Sequence, residues 1–320
     1  MLYRLGRREA LGLIAAGLVP MAALGQGVPT EVAVSIVNAG RRLAGTLTLL
    51  DAARYPVVLI IAGSGPTDRD GNNPLGIRAD TYKQLAHALA RSGVASLRYD
   101  KRYVGASNVP PLDESRMHYE DEVEDAVAWM GMLARDRRFR SVTIAGHSQG
   151  SLTGMLAAER VAPSAFISLE GPGRDGGTLL LEQVASRYPL DVVERARAIV
   201  AGLEDGQTSA DVPRSLYTVL RPSVQPYLMS WFPYDPAREI AQLRCPVTIV
   251  QGTDDTQVLL GDAQALKDSL PSAQLIIVQG MTHTLKRVGP NIAQIRTYID
   301  PSLPIAPEAV EAVITAAQSA

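Results

Sequence analysis

The chain has 320 residues, of which 46% are hydrophobic, and its 31 basic residues nearly balance its 33 acidic ones. This balance argues against the basic surface that nucleic-acid binding requires, so no nucleic-acid partner is expected. The single cysteine, Cys245, excludes an intramolecular disulfide. The four histidines lack metal-ligand spacing, so we expect neither a metal nor another cofactor.

Residues 1–25 have the pattern of an export signal. The segment starts basic, continues as an apolar run from Ala10 to Leu24 and ends in small residues, and the run is short for a spanning helix. Arg7-Arg8 before it resembles a twin-arginine signal. We therefore expect a periplasmic or secreted protein, cleaved near Gly25, with no stable membrane insertion afterwards. An uncleaved N-terminal anchor is the alternative.

Strand patterns alternate with helical ones along the rest of the chain. Eight stretches have the apolar or alternating character of strands: 32–37, 42–50, 57–63, 94–100, 141–146, 165–171, 246–252 and 273–280. Helices are predicted over 82–91 and 117–133 from their apolar faces. This order predicts an α/β fold with a mostly parallel eight-stranded sheet flanked by helices.

Residues 172–243 break the alternation, because they contain helical patterns and no convincing strand. We predict that they form a helical cap inserted between two parts of a core, 26–171 and 244–320. Trp231 and Phe232 are expected to form an apolar wall of a site at the carboxyl edge of the sheet. The alternative is a set of packing helices that does not contact substrate.

Ser148 stands in Gly-His-Ser-Gln-Gly (146–150), after a predicted buried strand and before a predicted helix of small residues. A strand-to-helix turn that holds a nucleophilic serine leaves no room for side chains at Gly146 and Gly150. The same turn directs the Gln149 N–H towards a developing oxyanion. The pattern therefore predicts Ser148 as nucleophile and the Gln149 amide as one oxyanion donor.

A serine nucleophile needs a base, and the base needs an orienting acid. His283 and Asp255 follow successive predicted strands, which places both at the carboxyl edge of the sheet. Asp254 competes with Asp255 for the acid role and is otherwise a turn former. Glu170, at the end of the preceding strand, is a further alternative. His147 flanks the nucleophile, and its side chain is expected to point elsewhere.

The second oxyanion donor is expected in the loop 62–74, Ala-Gly-Ser-Gly-Pro-Thr-Asp-Arg-Asp-Gly-Asn-Asn-Pro, which follows the strand beginning at 57. The Ser64 N–H is the candidate and that of Gly65 the alternative, because neighbouring glycines let the backbone approach a ligand. Asp68-Arg69-Asp70 is interpreted as a salt-bridged scaffold of this loop.

Five segments, GSGPTDRDGN, RYDKR, GHSQG, GTDDTQV and MTHTLK, together resemble the α/β-hydrolase superfamily. Within it the chain is similar to bacterial exported esterases and acyl hydrolases of the serine aminopeptidase-like group, from about Glu31 to the C-terminus. The resemblance implies the α/β-hydrolase fold with a triad in the order Ser148, Asp255, His283. Two positions depart from it: Tyr103 replaces a usual glycine, and Ala62 replaces a frequent histidine.

These residues predict a serine carboxylic ester hydrolase that takes a small-molecule ester with a small or medium acyl group. An aminopeptidase or amidase is the first alternative, and it requires a carboxylate in the cap to hold a free amine. Four acidic residues are available for that role: Glu182, Glu194, Glu204 and Asp205. A transacylase uses the same triad. A non-catalytic binding protein is least favoured, because no triad member is missing.

Overall fold

The structure is a computed structural model, and it describes residues 28–49, 54–111 and 113–320. The predicted export signal at 1–25 lies outside these residues. Within the described ranges, no helix combines the length and the apolar character that crossing a membrane requires.

An eight-stranded sheet forms the centre of the fold, in the order β1-β2-β4-β3-β5-β6-β7-β8. Its strands are β1 (Thr30–Asn38), β2 (Arg41–Leu49), β3 (Tyr55–Ile61), β4 (Ala95–Tyr99), β5 (Phe139–His147), β6 (Ala165–Leu169), β7 (Val247–Gly252) and β8 (Gln274–Val278). β2 pairs antiparallel with both β1 and β4, and the remaining pairs are parallel. The predicted fold class is confirmed.

Helices cover both faces of this sheet. They are α1 (Thr81–Arg91), α2 (Tyr119–Arg135), α3 (Gln149–Arg160), α4 (Gly176–Ala185), α5 (Leu190–Glu204), α6 (Tyr217–Leu220), α7 (Gln225–Trp231), α8 (Pro236–Ile240), α9 (Leu260–Ser269), α10 (Gln294–Ile299) and α11 (Pro307–Gln318). Between β6 and β7 the chain forms α4 to α8 and no strand, in keeping with the helical pattern of 172–243. The domain boundaries themselves stay predictions.

Two apolar clusters hold the layers together, because successive side chains of a strand point to opposite faces. On β3, Val57, Leu59 and Ile61 belong to the cluster that includes α2 and α3. Val58 and Ile60 belong to the cluster that includes α1 and α11. Full burial of each of these side chains stabilises the fold by about 1.5–3 kcal/mol.

The parallel register determines where the predicted site residues meet. β3, β5, β7 and β8 run in the same direction, so the loops after them share one edge of the sheet. Ser64, Ser148, Asp255 and His283 all stand in these loops, just beyond the strands' carboxyl ends. Ligands of open α/β sheets bind at this edge.

Candidate active site

Ser148 occupies a sharp turn between β5 and α3, with φ 54° and ψ −128°. A Cβ added to Gly146 would lie 2.3 Å from the Gly150 carbonyl oxygen, and one added to Gly150 would lie 2.4 Å from that of Ile61. These approaches are shorter than any non-bonded contact allows. The turn therefore requires glycine at both positions, and it holds Ser148 in a backbone conformation that side chains rarely adopt.

Asp255 and His283 form a buried pair. His283 Nδ1 lies 2.7 Å from Asp255 Oδ2, and Asp255 Oδ1 accepts hydrogen bonds from the N–H groups of Gln257 and Val258. Burial alone raises the pKa of Asp255, but the charge and hydrogen bond of His283, together with further hydrogen bonds to the carboxylate, hold that pKa below its usual value. Asp254 instead accepts a hydrogen bond from the Thr253 hydroxyl.

Ser148, His283, Gln149 and Ser64 all line one cavity of about 630 Å³. Asp255 does not line it, because its side chain is fully buried behind the histidine. The structure thus gathers the predicted nucleophile, base and backbone donors around one space. Gln149 opens α3, and the first N–H groups of a helix have no acceptor within the helix.

The loop after β3 runs directly against Ser148. A Cβ added to Gly63 would lie 3.1 Å from Ser148 Cβ. The Gly63 carbonyl oxygen accepts a 2.8 Å hydrogen bond from Lys101 Nζ, and its N–H donates to Tyr82 Oη at 3.0 Å. The N–H and the carbonyl group of Gly63 are therefore both hydrogen-bonded. Because the Gly63 carbonyl and the Ser64 N–H share one peptide plane, this fixes the direction of the Ser64 N–H.

His147 lies closer to the site than the sequence predicted. Its ring centroid is 4.8 Å from that of His283, and its Nε2 lies 2.7 Å from the His283 carbonyl oxygen. Since a carbonyl only accepts, Nε2 carries the proton, and Nδ1 accepts the Tyr82 hydroxyl at 2.8 Å. Burial, together with the charge of the neighbouring His283, lowers the pKa of His147 to about 3. His147 thus supports the backbone of His283, whereas the sequence predicted that its side chain points elsewhere.

The loop 62–74 is held by salt bridges, as predicted, but their partners lie outside the loop. Arg69 pairs with Asp100 at 2.6 Å, and Asp70 accepts from Arg98 Nε at 2.9 Å. Asp68 instead accepts from backbone N–H groups within the loop. The salt bridges thus anchor the loop to the end of β4, whereas the sequence suggested pairing within the loop.

The segment α4 to α8 supplies an apolar wall to the cavity. Its contributing side chains are Leu179, Leu180, Val219, Val224, Leu228 and Trp231. Phe232, predicted beside Trp231 in this wall, does not line the cavity and packs in the core. The two neighbours diverge because they lie about 100° apart around the helical turn that ends α7.

Among the polar residues that line the cavity and that the sequence did not single out are Lys101, Glu122 and Tyr227. Tyr227 Oη lies 3.0 Å from Glu122 Oε1 and 3.2 Å from Gln149 Oε1, so a residue of α7 contacts the residue that follows Ser148. Lys101 belongs to the RYDKR segment, which was the available signal. Tyr103, in place of a usual glycine, has φ +64° and also lines the cavity.

Among the described residues, no group of three or more His, Cys, Asp or Glu side chains could hold a metal ion. The groups that do meet at the cavity are a serine hydroxyl, an imidazole paired with a carboxylate, and backbone N–H donors. These groups suit attack on a carbonyl carbon and stabilisation of the oxyanion that results.

A mostly parallel sheet whose central strand runs into a strained serine turn is the arrangement of the α/β hydrolases. Over residues 57–290 the chain matches the profile of the Alpha/beta hydrolase family, and it belongs to that family.

Solved structures with the same fold include three at low sequence identity. Est1E from Butyrivibrio proteoclasticus, with ferulic acid bound, is 19% identical, with a TM-score of 0.62 over 90% of this chain and 100% of that one. The Pyrococcus furiosus esterase Pf2001 is 13% identical, with a TM-score of 0.57 over 91% and 93% of the two chains. The α/β hydrolase GrgF from Penicillium sp. sh18 is 18% identical, with a TM-score of 0.54 over 79% and 91%. No curated protein sequence matches the chain.

Proposed function

We propose that this chain is a serine carboxylic ester hydrolase that works through an acyl-enzyme. The observation that carries the proposal is the 2.7 Å contact between His283 Nδ1 and Asp255 Oδ2, at the cavity that Ser148 also lines. A carboxylate at Nδ1 holds the imidazole in the tautomer whose free Nε2 accepts a proton from serine. Esterases are also found among the structural relatives.

In the proposed reaction, Ser148 Oγ attacks the ester carbonyl carbon while His283 Nε2 takes its proton. Asp255 stabilises the imidazolium, and the N–H groups of Gln149 and Ser64 stabilise the oxyanion. His283 then protonates the leaving alcohol. In the second half of the reaction it activates the water that hydrolyses the acyl-enzyme.

The lining of the cavity favours an uncharged ester. Its ionised side chains form three ion pairs: Glu114–Arg221, Asp121–Arg102 and Glu122–Lys101. A charged substrate would compete with an existing partner for any of these groups. The apolar wall formed by α4 to α7 suits an acyl or alcohol group that is hydrocarbon in character.

The same lining disfavours an aminopeptidase. None of the four acidic residues considered for holding a free amine, Glu182, Glu194, Glu204 and Asp205, lines the cavity. Glu182 is paired with Arg174, and Glu194 with Arg197. The likeness to exported bacterial esterases of the serine aminopeptidase-like group rests on the sequence motifs alone, as does the proposed export.

The experiment is hydrolysis of p-nitrophenyl esters from acetate to palmitate by the full chain, beside Ser148→Ala. Labelling of Ser148 by a fluorophosphonate, located by mass spectrometry, is measured in parallel. An acyl-length optimum that Ser148→Ala abolishes supports the proposal. If no ester is hydrolysed and Ser148 is not labelled, the assignment of the nucleophile is wrong. Labelling without ester hydrolysis points to amide substrates or acyl transfer.

A further inference from the structure

Glu170 is a fully buried carboxyl group beside the Asp255–His283 pair. It follows β6 with φ +49°, a conformation that residues other than glycine adopt only when the surroundings hold them. Its N–H donates to the Val250 carbonyl oxygen at 2.9 Å, and its Oε1 accepts from the Gly252 N–H at 3.0 Å. Backbone and carboxyl group are thus both fixed against the end of β7, from which the chain continues to Asp255.

The carboxyl groups of Glu170 and Asp255 lie within hydrogen-bonding reach of each other. Two ionised carboxylates repel strongly in such a contact when they are buried, so one of them holds a proton. Hydrogen bonding decides which. Asp255 accepts from His283, Gln257 and Val258. Glu170 accepts only from Gly252, and within the described part of the chain its buried Oε2 has no donor.

We propose that Glu170 is a neutral carboxylic acid that donates a hydrogen bond to Asp255 and thereby positions the Asp255–His283 pair. The proton makes Oε2 a donor. It thereby gives a hydrogen-bond partner to the buried oxygen of Glu170 that otherwise has none among the described residues. The inference rests on the proposed function, because Asp255 and His283 act on substrate only if Ser148 is the nucleophile. It makes Glu170 a positioning residue, whereas the sequence offered it as an alternative acid for the histidine.

The surroundings of Glu170 agree with the neutral form. Burial raises its pKa well above the usual value, and the charge of Asp255 raises it further. Tyr298 interacts with both carboxyl groups, and burial raises its pKa to about 12, so that it too is neutral in the range of an assay.

Glu170→Gln and Glu170→Met form a matched pair of variants. Glutamine keeps an N–H donor for Asp255 and an acceptor for Gly252, and it imitates a protonated glutamate. We expect kcat/KM within about threefold of the wild type and an unchanged acidic limb of the pH profile. Methionine removes the donor. We expect kcat to fall about tenfold with KM little changed, and the acidic limb to move to higher pH, because Asp255 then holds the imidazolium more strongly.

An ionised Glu170 predicts the opposite result for the glutamine variant. Removing a negative charge beside Asp255 would weaken the hold on the imidazolium, and the acidic limb would move to lower pH by about one unit or more. That result overturns the proposal. A glutamine variant as slow as the methionine variant overturns it as well, because the retained donor would then do nothing.

Infrared difference spectroscopy tests the protonation without turnover. Wild type minus Glu170→Gln is recorded above pH 8, where Glu159, whose pKa burial and Glu239 raise to about 7, is ionised. A carboxylic-acid carbonyl band that shifts in D₂O supports the proposal. If the band is present in a chain that hydrolyses no ester, only the proposed function fails. The absence of the band overturns the proposal, and fluorophosphonate labelling of Ser148 would show that the proposed function survives it.

Discussion

The rings of His147 and His283 lie 4.8 Å apart, and the first histidine donates from Nε2 to the carbonyl oxygen of the second. Through Tyr82, the same His147 is joined to the N–H of Gly63. One buried imidazole therefore links the backbone of the proposed base to the loop of the proposed oxyanion donor. This link sets the relative positions of two groups that come from opposite ends of the chain.

The link makes stability depend on pH in a definite direction. His147 has a pKa of about 3 in the folded protein, against 6.5 ordinarily, so between these values only the unfolded chain takes up its proton. Its contribution to stability is complete above 6.5 and is lost as the pH falls, by up to about 1.4 kcal/mol per pH unit. In His147→Gln this slope disappears, and urea unfolding between pH 4 and 7 measures the difference from wild type.

The control for this experiment is His118→Gln, since His118 is exposed. Because His118 is the N-cap residue of α2, the substitution should change the free energy of unfolding by an amount that does not vary with pH. A difference between wild type and His147→Gln that stays constant with pH would contradict the buried neutral histidine.

Asp255→Asn tests the acid of the proposed triad. The amide cannot stabilise an imidazolium, and its NH₂ group favours the wrong tautomer at His283 Nδ1. We expect kcat to fall by about 10³- to 10⁴-fold on p-nitrophenyl esters, as in other triads. Asp254→Asn is the matched control, because its carboxylate contacts Thr253 and not the histidine. Equal losses in the two variants would show that the acid is misassigned.

Lys101→Met tests how the loop 62–74, which carries the proposed oxyanion donor Ser64, is held in place. Lys101 fixes the Gly63 carbonyl at 2.8 Å, and in a planar peptide this also fixes the direction of the Ser64 N–H. We expect kcat to fall about 10- to 100-fold, less than the 10²- to 10³-fold typical for outright loss of an oxyanion donor, with KM little changed.

Lys267→Met serves as the control for Lys101→Met, because Lys267 also donates to backbone carbonyls, at Pro271 and Ala273, away from the cavity. Its steady-state constants should match those of the wild type. An unchanged kcat in Lys101→Met would show that the Gly63 peptide keeps its orientation without the lysine.

Gly146→Ala and Gly150→Ala test the turn that carries Ser148. Each new Cβ would lie 2.3–2.4 Å from a backbone carbonyl oxygen, and the packed turn has no room to relieve these contacts. We expect soluble expression or the unfolding midpoint to drop sharply. Gly261→Ala, in α9 with nothing within 4 Å of the new Cβ, should be neutral or stabilising by about 0.5–1 kcal/mol. Folded, active Gly146→Ala would contradict the geometry of the turn.

Local pattern was sufficient to predict most of the fold. The apolar run at 57–63 corresponds to β3 (Tyr55–Ile61), and the helical pattern at 117–133 to α2 (Tyr119–Arg135), because both periodicities are properties of neighbouring residues. The need for glycine at 146 and 150 could also be predicted from the sequence, since a strained serine turn has the same steric demand wherever it occurs.

Tertiary structure decided the contacts that depend on where separate segments meet. Asp254 and Asp255 differ by one position, and only the path of the loop after β7 turns Asp255 towards His283. Lys101 reaches Gly63, 38 positions earlier in the chain, and Glu170 Oε1 reaches the Gly252 N–H, 82 positions later. The sequence by itself determined the elements and the chemical groups that their loops carry. Which of those groups touch depends on strand order, register and side-chain direction, and these are determined only when the sheet assembles.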